Sequence, residues 1–259
     1  MSPSPKLPGI VHVTAAADEL YDHLAVYLIQ AANDAVKDRE VFHLALSGGS
    51  TPEPFYMGLA TDPRFRNMPW QKSHVWMVDE RHVPQDDPQS NYRMICKALL
   101  DHVPMRGRQK HPVPVQAENP AIAYEGQLRE VFGPRIHKPG SNSIARLDFV
   151  LLGMGHDAHT ASLFPRSDAI GITNQWISLN DGEHVTPPPR ITMTYPLLNA
   201  ARNIAVLVTG KSKAKTLRRV ETQLEHGSDP HNLPITGINP SSTEFNGALS
   251  WHLDADAAG

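Results

Sequence analysis

Apolar residues at Leu20, Leu24, Leu28 and Ile29 fall on one face of a helix, so "DELYDHLAVYLIQAAND" (18–34) predicts an amphipathic helix early in the chain. The rhythm then changes. "VFHLALS" (41–47) is a short, unbroken apolar run, the pattern of a strand buried on both faces. "HVWMVDE" (74–80), "RLDFVLLGMG" (146–155) and "NIAVLVTGKS" (203–212) repeat it, each ending in Gly, Ser or charge. Helical patterns lie between these runs. "SNYRMICKALLDHV" (90–103) opens on the capping residues Ser90 and Asn91, and "NPAIAYEGQLREVF" (119–132) places Pro120 where a first helical turn tolerates it. "KSKAKTLRRVETQLE" (211–225) is rich in helix formers.

Strands alternating with helices imply right-handed crossovers and a mainly parallel sheet with helices on both faces. The expected fold class is therefore α/β. There is no internal repeat, and Pro and Gly are spread through connections, so a single domain over 1–259 is expected, with residues 1–10 as a flexible N-terminal arm. In such sheets ligands sit beyond the carboxyl ends of the strands. "SGGSTP", "DERH", "GMGHDAH" and "TGKSK" each follow a strand, so all four are expected to meet on one rim. Strand ends also gather polar loops by default, which is the plainer account of the same pattern.

Composition narrows the class. A chain of 259 residues, 40% hydrophobic, can bury a sizeable core. Its formal net charge of -3 gives no general attraction to polyanions, and no basic run is long enough to bind nucleic acid or an anionic membrane. A single cysteine, Cys96, cannot form an internal disulfide, which suits a reducing compartment and removes any thiolate metal cluster. "MSPSPKLPGIVHVT" lacks a signal-peptide pattern, and no run approaches the ~20 apolar residues of a membrane span. The chain reads as soluble and cytoplasmic, a monomer or a homodimer.

The loop "ALSGGSTPEPF" (45–55) carries the first chemistry. Gly48 and Gly49 let the backbone approach a ligand, Ser47, Ser50 and Thr51 offer hydroxyls, and Pro52 can begin a helix whose N-terminal N–H groups favour phosphate. Two other readings stand beside this: a plain Gly-rich turn, and a nucleophile elbow, since Ala45-Leu46-Ser47-Gly48-Gly49 is one substitution from G-x-S-x-G. "GMGHDA" fits a dinucleotide fingerprint, but Pro165 follows Gly155 too closely for the long helix that fingerprint needs. "TGKS" imitates the end of a Walker A loop, yet Ala205 stands where its first glycine belongs. His156 and His159 flank Asp157 without an H-E-x-x-H pattern or a second ligand cluster, so no metal is expected.

What remains is a phosphate-bearing substrate and acid–base chemistry. Arg81, Arg190 and Lys213 can neutralise a phosphate or carboxylate, although each alone is more often a solvated surface charge. His159 supplies an imidazole, and Asp157, two residues before it, a carboxylate able to orient it. A lone histidine is more often structural; in a Gly-rich strand-end loop the structural and functional readings stand level.

Taken together these residues resemble the 6-phosphogluconolactonases, relatives of glucosamine-6-phosphate isomerase/deaminase. The marks are "LSGGSTP" (46–52), "VDER" (78–81), "SNY" (90–92), "LDFVLLGMGHDAHTASLFP" (147–165), "PPPRITMTYPLLNAA" (187–201), "VTGKSKA" (208–214) and "LSWHLD" (249–254). They run in the family's order through nearly the whole chain, and "HTASLFP" with "SGGSTP" is a specific combination.

The resemblance implies a Rossmann-like fold and hydrolysis of 6-phospho-D-glucono-1,5-lactone to 6-phosphogluconate in the oxidative pentose phosphate pathway, with no metal or organic cofactor. It makes His159 the general base that activates water, with Asp157 supporting it. Ser47, Gly48, Gly49, Ser50 and Thr51 line the substrate pocket, Arg190 and Lys213 contact phosphate, and Asp79 and Arg81 face the sugar or the developing charge. A lactone is an activated ester, so placing water and stabilising an oxyanion are the main chemical demands. Phe164 stands where the deaminase branch carries a glutamate, which disfavours isomerisation. Two departures stand out. Ala158 replaces the usual glycine between Asp and His, a strain of about 1–2 kcal/mol if its φ is positive. The stretch "NPSSTEFNGALSW" (239–251) is longer than usual before its strand. The alternative to an enzyme is a phosphosugar-binding protein of the same fold without turnover, which Ala158 alone favours.

Overall fold

The computed structural model describes residues 4–136, 145–180 and 189–259; Pro187 and Pro188 of the quoted motif lie outside them. Strands β1 (Ile10–Thr14), β2 (Phe42–Leu46), β3 (Ser73–Met77), β5 (Lys110–His111), β6 (Phe149–Gly153), β9 (Asn203–Val208) and β10 (Ala248–Asp254) form one sheet in the order β1-β10-β9-β6-β2-β3-β5. Every pairing in it is parallel. All five residues of β2 are buried, and β6 and β9 are nearly so, which requires cover on both faces. Leu20, Leu24 and Leu28 of α1 (Ala17–Arg39) are fully buried, as their spacing requires. Trp76, Trp251, Tyr56, Tyr124 and Phe149 fill the core between the layers.

The chain order fixes where a ligand can sit. From β2 the chain runs outward through β3 to β5; it then returns to β6 on the other side of β2 and proceeds outward through β9 to β10. The loops leaving β2 and β6 therefore diverge from neighbouring strands, the switch point at which open α/β sheets bind ligands.

Three features depart from the expectations. The run 74–80 is two strands, not one: after Val78 the chain leaves the main sheet and β4 (Asp79–Arg81) joins an antiparallel sheet of order β4-β8-β7, with β8 (Arg190–Met193) and β7 (Ile177–Asn180). Val78 serves both, its N–H donating to Leu46 O at 3.0 Å while its carbonyl accepts from Met193 N at 2.9 Å. The helix expected over 90–103 is α3 (Asn91–Ile95) continued by a π turn over Cys96–Leu100, closed by Asp101 N–H on Cys96 O. Ala98, Leu99 and Leu100 are all buried there, a broader apolar face than a regular α-turn presents. Within residues 1–10, expected as an arm, Ile10 opens β1 against β10, Leu7 packs on the core, and Pro8 O accepts from Trp251 Nε1 at 3.0 Å.

Of the remaining helices, α2 (Glu53–Thr61) follows the Gly-rich loop, α4 (Pro120–Ile136) packs on β7 and β8, and α5 (Tyr195–Asn199) follows β8. α6 (Ala214–His226) follows β9, and α7 (Ala255–Ala258) ends the chain. Among the described residues no helix is long and apolar enough to cross a membrane.

Candidate active site

The four strand-end segments meet as expected. They open onto a cavity of about 270 Å³ lined by Ser47 to Pro52 after β2, Asp79 and Arg81 of β4, Gly153 to His156 and His159 to Ala161 after β6, and Lys213 after β9, with Asn91 and Arg190 completing the wall. Of the residues given a catalytic or binding role in the sequence, all but Asp157 line it.

The first loop is built by close approach. Gly48 lies against the Asn91 amide, and a Cβ there would fall 1.9 Å from Asn91 Oδ1. Gly49 takes φ 106, a conformation open to glycine at no steric cost. Ser47 commits its hydroxyl proton to Leu151 O at 2.8 Å, and Tyr56 donates to Ser47 O at 2.6 Å, tying the turn to β6 and α2. With its proton held by a backbone carbonyl and no imidazole bonded to it, Ser47 lacks the partner a nucleophile elbow requires. Ser50 and Thr51 precede α2, whose N-terminal end favours an anion although Pro52 and Pro54 there carry no N–H.

The loop after β6 carries the acid–base pair. Asp157 Oδ1 lies 2.6 Å from His159 Nδ1 and accepts His159 N–H at 3.1 Å. Only a protonated Nδ1 can donate to the carboxylate, so the neutral ring held this way keeps its lone pair on Nε2. Partial burial pushes the Asp157 carboxyl upward, but the His159 ring and backbone N–H more than offset this and hold it at about 2. The loop is tightly wound: Gly155 N–H donates to His159 O at 2.8 Å and Thr160 Oγ1 to Gly153 O at 2.9 Å. Ala158 and Ala161 take φ 70 and 52 to achieve it, so the strain anticipated for Ala158 is present. No long helix follows, which leaves "GMGHDA" without the element a dinucleotide site needs.

The opposite wall is the small sheet. Asp79 is 7% exposed; Ser162 Oγ donates to its Oδ2 at 2.5 Å, and Asn91 Nδ2 donates to its carbonyl at 2.9 Å and reaches Oδ1 at 3.3 Å. Since both partners of Nδ2 are acceptors, the amide orientation is fixed, and Asn91 Oδ1, buried against Gly48, has no hydrogen-bond donor. Asn91 is held in turn by Glu80, whose buried carboxylate accepts from the N–H groups of Arg81, Asn91 and Tyr92 and from Ser90 Oγ. Burial, with a smaller push from Asp79, raises the Glu80 carboxyl above its ordinary value against those backbone donors.

Three cations converge on the cavity. Burial lowers the Arg190 guanidinium while Asp79 counteracts it, and its charge lies 5.9 Å from the Phe164 ring. Phe164 in turn packs on His159 at a ring separation of 4.5 Å. Arg81 donates to Gln89 O at 2.6 Å. Burial also lowers the Lys213 ammonium, opposed by Asp157. Among the described residues no group of three or more His, Cys, Asp or Glu side chains is placed to hold a metal ion.

Asn91, Ser162, Glu80 and Gly155 were not singled out as site residues in the sequence. Asn91 enters the sequence reading as a helix cap and within "SNY", and Gly155 within "GMGHDA" and the segment 147–165, neither with a site role. Glu80 and Ser162 fall within the quoted "VDER" and "HTASLFP", but they act through partners distant in sequence, so nothing local shows what they hold.

Comparisons with known proteins identify the family. Residues 15–251 match the family model of the glucosamine-6-phosphate isomerases/6-phosphogluconolactonase. A 6-phosphogluconolactonase of Nostoc sp. is 39% identical over 235 residues, 89% of each chain. The human GDH/6PGL endoplasmic bifunctional protein is 38% identical over 246 residues, 95% of this chain but only 30% of that longer relative. The solved structure of a 6-phosphogluconolactonase from Trypanosoma cruzi superposes with a TM-score of 0.78 at 26% identity, covering 98% of this chain and 97% of that one. The chain belongs to the glucosamine-6-phosphate isomerase/6-phosphogluconolactonase family.

Proposed function

We propose that this chain hydrolyses 6-phospho-D-glucono-1,5-lactone to 6-phospho-D-gluconate, the lactonase step of the oxidative pentose phosphate pathway. The observation that carries the reading is the Asp157–His159 pair beside a cavity walled by the Gly-rich loop, Arg190 and Lys213. The phosphate is received by Arg190, Lys213 and the backbone N–H groups of the Ser50–Thr51 turn. His159 Nε2 takes a proton from water as its oxygen attacks the lactone carbonyl. Arg81 faces the negative charge that develops on the carbonyl oxygen. As the tetrahedral intermediate collapses, the C1–ring oxygen bond breaks and the imidazolium returns its proton to the leaving ring oxygen. Asp157 keeps the imidazole in the tautomer this cycle needs, and Asp79 accepts sugar hydroxyls.

Isomerisation of an amino sugar is the less suited chemistry. Phe164 packs against His159 where that branch carries a carboxylate, and a phenyl ring moves no proton. The same proposal has the protein act in the cytoplasm, as a monomer or a homodimer.

The test is hydrolysis of freshly generated 6-phosphogluconolactone above its spontaneous rate, with the intact protein and with His159→Ala. Acceleration that collapses by about 10²–10⁴-fold in the variant is expected. No acceleration by well-folded intact protein overturns the reading in favour of a phosphosugar-binding protein.

A further inference from the structure

A second concave site lies at the other end of the strands. The active-site cavity sits beyond the carboxyl ends of β2 and β3; at their amino ends lies a separate cavity of about 460 Å³ whose lining includes Lys72, Arg106, Arg108, His74, Gln109 and Glu40. Five-residue strands separate the two by roughly 16 Å. Among the described residues, neither Lys72, Arg106 nor Arg108 has an ion-pair partner. Glu40 is the single acid on the rim, so the cavity is cationic in a chain whose net charge is -3.

The cations stand on a built frame. Gln109, 4% exposed, accepts Arg106 N–H at 2.9 Å and donates to Trp70 O at 3.0 Å and Ser73 O at 2.6 Å. One buried amide therefore bolts the turn bearing Arg106 and Arg108 to the turn Trp70–Lys72, fixing both against the start of β3. The floor is equally fixed: His74 Nδ1 lies 2.8 Å from His111 Nε2, and His111 stacks on Trp76 at 3.7 Å. Burial, and then the charge of Arg108, hold the His74 imidazole below its ordinary pKa, so Arg108 projects its field onto this floor.

We propose that this cavity binds a small anion carrying two or more phosphate groups. Three cations on two turns locked together match several phosphates at once, whereas a single phosphate would leave part of the charge unmet. The phosphate-accepting wall of the catalytic cavity shares no residue with it.

Calorimetric titration with inorganic pyrophosphate tests this, using the intact protein, Arg106→Gln/Arg108→Gln and Lys213→Gln. The expected result is binding that survives Lys213→Gln and weakens roughly tenfold or more in the double variant, about 1.4 kcal/mol or more. Inorganic monophosphate should bind at least tenfold more weakly than pyrophosphate at this site. Arg106 and Arg108 are exposed and outside the catalytic cavity, so the double variant should keep its melting temperature and its lactone hydrolysis. Pyrophosphate binding unchanged in the double variant, binding lost in Lys213→Gln, or monophosphate binding as tightly overturns the proposal. None of these outcomes bears on the lactonase reading, which the hydrolysis assay tests by itself.

Discussion

The His159 imidazole occupies the space that a side chain at position 155 would fill: a Cβ on Gly155 would fall 2.2 Å from His159 Nδ1 and 2.7 Å from Asp157 Oδ1. Position 155 thus sets the ring and its carboxylate together. Gly155→Ala should lower kcat/KM for lactone hydrolysis by about 10²-fold, the cost of a misplacement near 1 Å, because the base is displaced from its water. Steady-state kinetics beside a melting curve will check this; a variant that retains activity means that the ring has another productive position.

Asp157 lies outside the cavity wall, so its removal should act on turnover rather than on substrate binding. In Asp157→Asn the amide can present N–H to Nδ1 and favour the wrong tautomer. A loss of about 10²–10⁴-fold in kcat with KM little changed is expected. Equal damage to KM would place Asp157 in contact with substrate.

Ala158 holds φ 70 with its methyl fully buried. Ala158→Gly relieves the left-handed strain, at the expense of greater freedom in the unfolded chain. A net gain of about 0.5–1 kcal/mol is expected, seen as a rise in melting temperature of about 1–4 °C. Activity should be kept or improved. A lower melting temperature would mean that the methyl's packing outweighs the strain.

Ser162 connects the histidine loop to the opposite wall through Asp79 Oδ2. Ser162→Ala leaves that oxygen without its donor and should cost about 1–3 kcal/mol of stability. KM should rise more than kcat falls if Asp79 accepts sugar hydroxyls as proposed. Urea unfolding and a kinetic split between kcat and KM will separate the two effects.

Acid stability has a distinct source. Burial, reinforced by neighbouring histidines, lowers His252 to about 3 and His111 to about 4. Folded pKa values below the unfolded value near 6.5 mean that the unfolded chain binds more protons between them. Stability from these two groups is therefore present above pH 6.5 and declines as pH falls to about 4 for His111 and about 3 for His252. Each proton contributes a slope of up to about 1.4 kcal/mol per pH unit. Unfolding of His252→Asn against pH should show a flatter limb; an unchanged slope would remove His252 from the account.

Much of this site was legible because chemistry-bearing residues follow strands directly. "LSGGSTP" and "GMGHDAH" each stand behind an apolar run, so a parallel sheet alone brings them together. What escaped notice has no such address. β4 was hidden because Asp79 to Arg81 continue the strand pattern of 74–77 without a break, although Val78 changes sheets. β8 falls within "PPPRITMTYPLLNAA", whose prolines mask a strand, so Arg190 could be named from resemblance but not placed from pattern. Ser162 and Asn91 meet Asp79 from residues 83 and 12 positions away. Such meetings are set by packing, not by local periodicity.

The change of sheet at Val78 makes the cavity mechanically uneven. Asp79, Arg81 and Arg190 ride on paired strands whose backbone groups are locked in a ladder, while Gly48 to Thr51 and Gly155 to Ala161 ride on turns. The ladder side is the anvil: a sugar can be gripped there without the protein first having to order that wall. Adjustment to different ligands then falls to the turns, and tolerance for altered substrates should be tuned by substitutions in those turns long before it is tuned in the strands.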